Sequence, residues 1–357
     1  MERQPGKLKV FLGYAAGAGK TYQMLTEAQE LKARGVDAVI GYFEPHARAE
    51  TIALTKGLEF VPRAVFEYRG ARFEEMDTDA VIARHPQVAV VDEFAHTNVP
   101  GSARAKRWQD VMVILGAGID VLTSMNIQHI ESLNDEVWHV TGIRVRETLP
   151  DWLLREAEEV VMVDVTPRAL VHRVERGVVY SQEKARLALD NFFTESNLTA
   201  LRELALRQTA HQIEERMEEF REPWPAHALS SRQPERIAIW LTPHPSTAML
   251  IRRGRRVADY LNSESTALFV ARDPNMPELN EEQRISVERH LSFCRNLRIP
   301  VEVLASTEPA KAIVNWSRDH GITQIFATRD APEVQKLVHL SKDMQVTIVS
   351  PRTRTGE

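Results

Sequence analysis

The stretch Gly13-Tyr-Ala-Ala-Gly-Ala-Gly-Lys-Thr21 lies between an apolar run and a segment whose apolar residues repeat at helical spacing. The run predicts a strand over residues 7–12, and the segment predicts a helix over residues 21–32 that Gly35 would end. Glycines in such a turn allow backbone N–H groups to face a phosphate, and the helix N-terminus adds its positive dipole. The sequence therefore predicts a phosphate-binding loop between a strand and a helix.

This loop divides into a backbone cradle and two functional side chains. The cradle residues have small or absent side chains: they are Gly13, Gly17, Ala18 and Gly19. Lys20 would place an ammonium near the β and γ phosphates of ATP, and Thr21 would offer its hydroxyl to Mg²⁺. The strict motif has glycine six residues before the lysine, where this chain has Tyr14, so a coincidental glycine-rich turn is the alternative.

A second apolar run, Val88-Ala-Val-Val91, ends in Asp92 and Glu93. An unbroken apolar run indicates a strand buried on both faces of a parallel sheet, and such sheets bind ligands at the carboxyl ends of their strands. Asp92 would hold Mg²⁺ directly or through water, and Glu93 would be the catalytic group that polarises water if ATP is hydrolysed. The alternative is a strand that ends in two solvated acids.

Polar residues that follow the central strands are further candidates for binding the nucleotide. His96 and Asn98 come after the acidic strand, where a group that senses the γ-phosphate would lie. The proline, glycine and serine of the 96–104 loop indicate a mobile turn, whose order the nucleotide would control. Thr123, Ser124 and Asn126 end the next predicted strand and either read phosphate or cap the strand end.

A basic run after this loop has two readings. Arg104, Lys106 and Arg107 would either begin a solvated helix or supply an arginine finger to a neighbouring subunit.

Composition restricts the class of protein. The chain has 357 residues, enough for two or three domains, and a net charge of -5, which gives no general affinity for nucleic acid. Its single cysteine, Cys294, excludes a disulfide within the chain and fits a reducing cytoplasm. We expect no transmembrane segment, because the longest uncharged apolar stretch, residues 111–119, is far shorter than the roughly 20 residues that a span needs.

Alternating strand and helix patterns predict an α/β fold in two domains. The first, residues 1–220, would be a P-loop domain whose parallel sheet is flanked by helices, including helices at 107–117, 131–141, 184–193 and 198–220 and a strand at 159–165. Residues 221–234 contain three prolines and predict a linker. The second domain, residues 235–350, has five strand patterns and four helix patterns, which predict a small doubly wound sheet.

Several motifs resemble one family, in the order in which they occur. Besides the glycine-rich loop they are Glu44-Pro-His-Ala-Arg-Ala-Glu-Thr51, Val91-Asp-Glu-Phe-Ala-His-Thr-Asn98, Lys106-Arg-Trp-Gln-Asp110, Asn126-Ile-Gln-His-Ile-Glu-Ser-Leu-Asn-Asp135 and Asn191-Phe-Phe193. Over residues 7–220 the chain resembles the amino-terminal sensory region of the KdpD family, the turgor- and potassium-responsive sensor histidine kinases of bacteria. The displaced glycine at position 13 is also that family's arrangement.

The resemblance implies an ATP-binding, Mg²⁺-dependent cytoplasmic sensor of a two-component system that controls potassium transport. The implied partners are the histidine kinase half or the response regulator, with the potassium pump as a further candidate. It also implies a universal-stress-protein-like second domain, although residues 326–335 lack the glycines with which ATP-binding members of that group hold nucleotide.

None of the twelve histidines is followed by Asp or Glu, as a phosphoacceptor histidine typically is. We therefore expect a short form without a kinase core, which is at most a slow ATPase; a P-loop ATPase or phosphotransferase with fast turnover is the alternative.

Overall fold

The computed structural model describes residues 4–45, 48–179, 185–186, 188–189, 192–219, 235–273, 276 and 279–350. The chain divides into two compact units, Met1–Ile213 and Glu214–Glu357. The predicted linker at 221–234 lies outside the described residues, as do residues 184, 187, 190 and 191 of the predicted helix at 184–193. Within the described ranges, no helix is both long and apolar enough to cross a bilayer.

The first unit is built on a parallel sheet. A small antiparallel hairpin occurs in the chain between two strands of that sheet. The strands of the unit are β1 (Leu8–Gly13), β2 (Ala38–Tyr42), β3 (Glu59–Phe60), β4 (Ala64–Tyr68), β5 (Ala71–Glu75), β6 (Val88–Val91), β7 (Asp120–Asn126) and β8 (Glu159–Met162). Six of them form one sheet in the order β3-β2-β6-β7-β1-β8, and β4 pairs with β5. The central strands are buried on both faces, as the unbroken apolar runs predict.

Helices cover this sheet. They are α1 (Lys20–Ala33), α2 (Ala49–Ala53), α3 (Thr78–Arg84), α4 (Arg107–Gly116), α5 (Asn134–Thr141), α6 (Trp152–Arg155), α7 (Pro167–Glu175) and α8 (Glu195–Glu219), whose residues from Glu214 on belong to the second unit. Helix α1 buries Met24, Leu25 and Ala28 along one stripe, which fixes its N-terminus at the end of β1.

Two predicted elements in this unit differ from the structure, and a third element was not predicted. The predicted helix at 131–141 is a 3₁₀ turn, Glu131–Leu133, followed by α5, and the predicted strand at 159–165 ends at Met162. Helix α7 was not predicted, although Pro167 in its first turn and the Thr166 side chain, which accepts from the Ala169 N–H, are start signals.

Strand order brings the two sequence motifs together. Strand β7 lies between β1 and β6, and its register pairs Asn126 with Gly13 and Thr123 with Val91. Because parallel strands end at the same edge, the glycine-rich loop after β1 and the acids after β6 meet there with the end of β7 between them.

The second unit is a smaller parallel sheet between helices. Its elements are β9 (Arg236–Leu241), α9 (Thr247–Tyr260), β10 (Glu264–Ala271), α10 (Glu281–Asn296), β11 (Val301–Ala305), α11 (Pro309–Asp319), β12 (Gln324–Thr328), α12 (Val334–Leu340) and β13 (Gln345–Val349). The strand order is β11-β10-β9-β12-β13. From β9 the chain adds strands first on one side of the sheet and then, after β11, on the other side, as in a doubly wound fold. The predicted fold class is confirmed in both units.

Candidate functional site at the carboxyl edge of the first sheet

The glycine-rich loop needs glycine at defined positions. Gly17 and Gly19 have φ values of 85° and 108°, a region that side chains with a Cβ rarely adopt. At Gly13 the reason is steric, because a Cβ there would lie 2.9 Å from Cδ of Lys20. The displaced glycine therefore leaves room for the lysine side chain to run back across the strand end.

Lys20 is held inside this loop. Its Nζ donates to Oδ1 of Asn126 at 2.5 Å and to the Ala15 carbonyl at 3.2 Å. Burial lowers the pKa of Lys20 to about 8, although the charge of Asp92 opposes that shift. A buried ammonium with only neutral hydrogen-bond acceptors is poised for an anion.

Asp92 is the buried carboxylate of the site, with 1% of its surface exposed. Its Oδ1 accepts from Ser124 Oγ at 2.5 Å and from Thr21 Oγ1 at 3.2 Å. Burial raises the pKa of Asp92, and the hydrogen bond from Ser124 opposes this. The cluster offers one carboxylate and two hydroxyls, which are hard oxygen ligands of the kind that Mg²⁺ prefers.

Glu93 occupies strained backbone at the end of the acidic strand. Its φ of 57° is unusual for a residue with a Cβ, and such strain is found at functional sites. Its Oε2 lies 3.6 Å from Nη1 of Arg107.

Arg107 is fully buried, so the prediction that it forms a solvated helix start or reaches a neighbouring subunit is wrong. Its Nη2 donates to Oε2 of Glu75 at 2.9 Å, and its guanidinium lies 3.5 Å from the centre of the Tyr42 ring. Burial alone would raise the pKa of Glu75, but the hydrogen bond from His96 and the charges of His96 and Arg107 hold it below its usual value.

The other two basic residues of the run are also paired within the unit. Arg104 Nε donates to Oδ1 of Asp110 at 2.7 Å, and Lys106 Nζ donates to Thr97 Oγ1 at 2.7 Å. The finger interpretation therefore finds no support at these positions.

His96 and Asn98 have different surroundings, although they are two residues apart. His96 lines the cavity beside Lys20, and its Nε2 lies 3.0 Å from Oε1 of Glu75. Asn98 is not among the residues that line the cavity: its Nδ2 donates to the Arg104 carbonyl at 3.0 Å and to Oδ2 of Asp110 at 2.6 Å. Asn98 thus fastens the loop rather than facing the space where a phosphate would lie.

The 96–104 loop is held at both ends. Thr97 and Lys106 form an antiparallel bridge, Asn98 N–H donates to the Ala105 carbonyl, and Val99 N–H donates to Oε1 of Glu75. The predicted mobile turn therefore has its base closed by backbone hydrogen bonds.

A cavity of about 470 Å³ opens where these residues meet. Predicted site residues that line it are Gly17, Lys20, Thr21, Asp92, Glu93, His96, Ser124 and Asn126. The other three predicted cradle residues, Gly13, Ala18 and Gly19, do not line this cavity, although Ala18 and Gly19 lie in the chain between Gly17 and Lys20, which do. His129, a further lining residue, is partly buried, and burial lowers the pKa of its imidazole below its usual value.

Two functional neighbours have no local sequence signal. Arg173 of α7 donates through Nη1 to the carbonyls of Gly17 and Ala18 at 2.9 and 3.4 Å. Because N–H and C=O point in opposite directions across a trans peptide, this contact turns the following N–H groups away from Arg173. Glu75, the other neighbour, ends a hairpin that reads from the sequence as surface structure.

The parallel sheet and its flanking helices define an α/β protein, with the glycine-rich β1–α1 loop and the acidic end of β6 at one edge of the sheet. The chain belongs to the KdpD family, described as the osmosensitive K+ channel His kinase sensor domain, whose model matches residues 4–213.

Curated relatives extend beyond that match. The putative sensor protein KdpD of Synechocystis is 48% identical over 80% of this chain and 76% of its own length. The sensor protein KdpD of Escherichia coli is 39% identical over 98% of this chain, which spans only 40% of that relative.

Among solved structures, the universal stress protein from Archaeoglobus fulgidus in complex with dAMP is 15% identical, with a TM-score of 0.27, over 32% of this chain and 98% of that one.

Proposed function

We propose that the first unit binds Mg²⁺·ATP at the carboxyl edge of its sheet and serves as the nucleotide-responsive part of a cytoplasmic potassium and turgor sensor. The observation that carries this proposal is the convergence of Lys20 and Thr21 from the glycine-rich loop with Asp92 from the acidic strand. Family membership supports the sensory role.

The donor set fits both the phosphates and the metal. Lys20 and the backbone of Gly13, Gly17, Ala18 and Gly19 would hold the phosphates, and Thr21 and Asp92 would hold Mg²⁺, with Ser124 orienting the carboxylate. Magnesium, when bound, would neutralise part of the phosphate charge. His96 would contact the terminal phosphate, whereas Asn98 would support the loop that carries His96.

The surroundings of Glu93 favour a slow switch over a fast ATPase or phosphotransferase. Its carboxylate lies beside the buried guanidinium of Arg107, which competes with any water for that carboxylate. Glu93 is therefore at most the base of a slow hydrolysis, which suits a state that must persist long enough to be sensed.

Nucleotide would act on signalling through the 96–104 loop. A contact between a phosphate and His96 would change the His96–Glu75 hydrogen bond, and Glu75 also binds Arg107 and Val99 N–H. This network gives the nucleotide a path to the loop surface, where a histidine kinase half or a response regulator would bind; the potassium pump is a third candidate partner.

The test is calorimetric titration of the purified chain with ATP, with Mg²⁺ and with a chelator, on wild type and Lys20→Ala. We expect micromolar binding that requires Mg²⁺ and is lost in Lys20→Ala. Glu93→Gln should keep that binding and lower any slow turnover. Wild-type protein that binds no ATP would refute the proposal, and fast turnover would favour the ATPase alternative.

A further inference from the structure

A second cavity, of about 740 Å³, lies against the same glycine-rich loop. Gly17 and Thr21 line both this cavity and the one beside Lys20, so the two spaces meet at the loop. The volume lies within the roughly 300–1,000 Å³ range of small-molecule sites.

The walls of this second cavity combine exposed apolar side chains with polar ones, of which Arg48, Glu50 and Arg173 are charged. Tyr22 and Val178 line it, and each is 49% exposed, which is high for a tyrosine and a valine in a concave site. Gln23 and Thr26 also line it, from the first turns of α1. An aromatic ring, an aliphatic surface and hydrogen-bonding side chains are what a nucleobase and a ribose require.

We propose that this second cavity binds the nucleoside of the nucleotide, with its base between Tyr22 and Val178. The proposal rests on the proposed function, since phosphates held by Lys20 leave the sugar and the base to extend past the loop. The two cavities share Gly17 and Thr21, so one ligand can occupy both. The base covers the exposed apolar side chains, and this contact gives ATP an affinity that inorganic phosphates lack.

The polar side chains act on the ribose and the base edge. The Thr26 hydroxyl donates to the Tyr22 carbonyl at 2.9 Å, so its oxygen presents lone pairs to a ligand as an acceptor. Gln23 supplies both a donor and an acceptor on the same helix. These groups orient the nucleoside while Tyr22 supplies the stacking surface.

The experiment compares the Mg²⁺ complexes of ATP and inorganic tripolyphosphate as ligands of the full chain, by calorimetry. Tyr22→Ala removes the ring and Tyr22→Phe keeps it. Tyr260→Ala, which removes a tyrosine that is 78% exposed in the second unit, is the matched control. Tyr22 is half exposed, so its loss leaves the core intact.

We expect Tyr22→Ala to weaken ATP binding about tenfold or more, the usual effect of losing one base-stacking aromatic, and to leave tripolyphosphate binding unchanged. Tyr22→Phe and Tyr260→Ala should bind ATP like wild type.

Two results would overturn this inference and leave the phosphate site standing: unchanged ATP affinity in Tyr22→Ala, or equal weakening of ATP and tripolyphosphate. Wild-type protein that binds neither ligand would instead refute the proposed function, and this inference with it.

Discussion

The two units share an α/β plan but differ in what they bury at the carboxyl edge of the sheet. The first unit buries charged side chains there, namely Lys20, Asp92, Glu75 and Arg107. Among the described residues of the second unit, the buried polar side chains are non-titratable except for His290. Burial lowers the pKa of that imidazole. Burying charge costs free energy, so the edge that we propose as the ligand site lowers the stability of the first unit, a cost that the second unit does not carry at its own edge.

The turn after the first strand of each unit shows the same contrast. In the first unit it is a glycine-rich loop with two residues in left-handed conformation. In the second, Thr242 and Thr247 close the turn with a 2.8 Å hydrogen bond between their hydroxyls, and His290 Nδ1 donates to the Thr242 carbonyl. A turn that satisfies its own polar groups has little left for a phosphate, and we expect no ATP binding there.

Removing Arg107 should produce the largest effect. Arg107→Ala leaves Glu75 buried without its guanidinium, and loss of one partner from a buried pair costs about 3–5 kcal/mol of unfolding free energy. The measurement is urea denaturation, with the unfolding of each unit monitored by hydrogen exchange. Arg318→Ala, which breaks an exposed pair with Asp343 in the second unit, is the control and should shift the midpoint little. Equal shifts in the two variants would contradict the contrast between the units.

Substitutions at two glycines distinguish an effect on ligand binding from an effect on core packing. A Cβ at Gly254 would lie 2.6 Å from Cδ1 of the fully buried Ile239, so Gly254→Ala should destabilise the second unit by about 1–3 kcal/mol and leave ATP affinity unchanged. Gly13→Ala should displace Lys20 and weaken ATP binding with a smaller loss of stability. Thermal unfolding and calorimetry of both variants test this.

Gly116→Ala is the control for this pair, because a Cβ there meets no atom within 4 Å. It should change neither property for the worse. A Gly13→Ala variant that binds ATP as tightly as wild type would show that the displaced glycine has no role in the site.

Arg173 should have a smaller effect. Arg173→Gln removes donors to the Gly17 and Ala18 carbonyls, hydrogen bonds that are each worth about 1 kcal/mol, so ATP should bind several-fold more weakly because its N–H donors are less ordered. Arg176→Gln, one residue beyond the end of the same helix, is the matched control. Identical ATP affinities in the two variants would remove Arg173 from the site.

The smallest effect concerns pH and the second unit. Burial lowers the pKa of His290 below its usual 6.5, so as pH falls through that value the unfolded chain takes up a proton that the folded unit resists. The contribution of His290 to the stability of the second unit is therefore fully present above pH 7, and it decreases as the pH falls below about 6.5. His290→Gln should flatten this part of the pH profile of hydrogen exchange in peptides from 235–350; an unchanged slope would contradict the assignment.

Local patterns predicted the fold, and they named the residues that meet at the centre of the candidate site, because they depend on residues close together in the sequence. Glycine spacing identified Lys20 and Thr21, and an apolar run identified Asp92. Arg173 was missed since it reaches Gly17 across 156 positions, a contact that no local pattern encodes.

The direction in which side chains point after a strand ends was equally hard to predict. Asn98 was expected to face the phosphate with His96, but its side chain donates to Asp110 and to the Arg104 carbonyl instead. The interpretation of Arg107 as exposed was wrong for a related reason, because its partner Glu75 comes from a hairpin whose packing the sequence does not reveal.

The most direct test of the contrast is hydrogen exchange of the full chain, read by mass spectrometry with and without Mg²⁺·ATP. We expect slower exchange in peptides covering residues 13–22 and 92–98, absent in Lys20→Ala, and no change over 235–350. Protection confined to 235–350, or protection that persists in Lys20→Ala, would contradict this expectation.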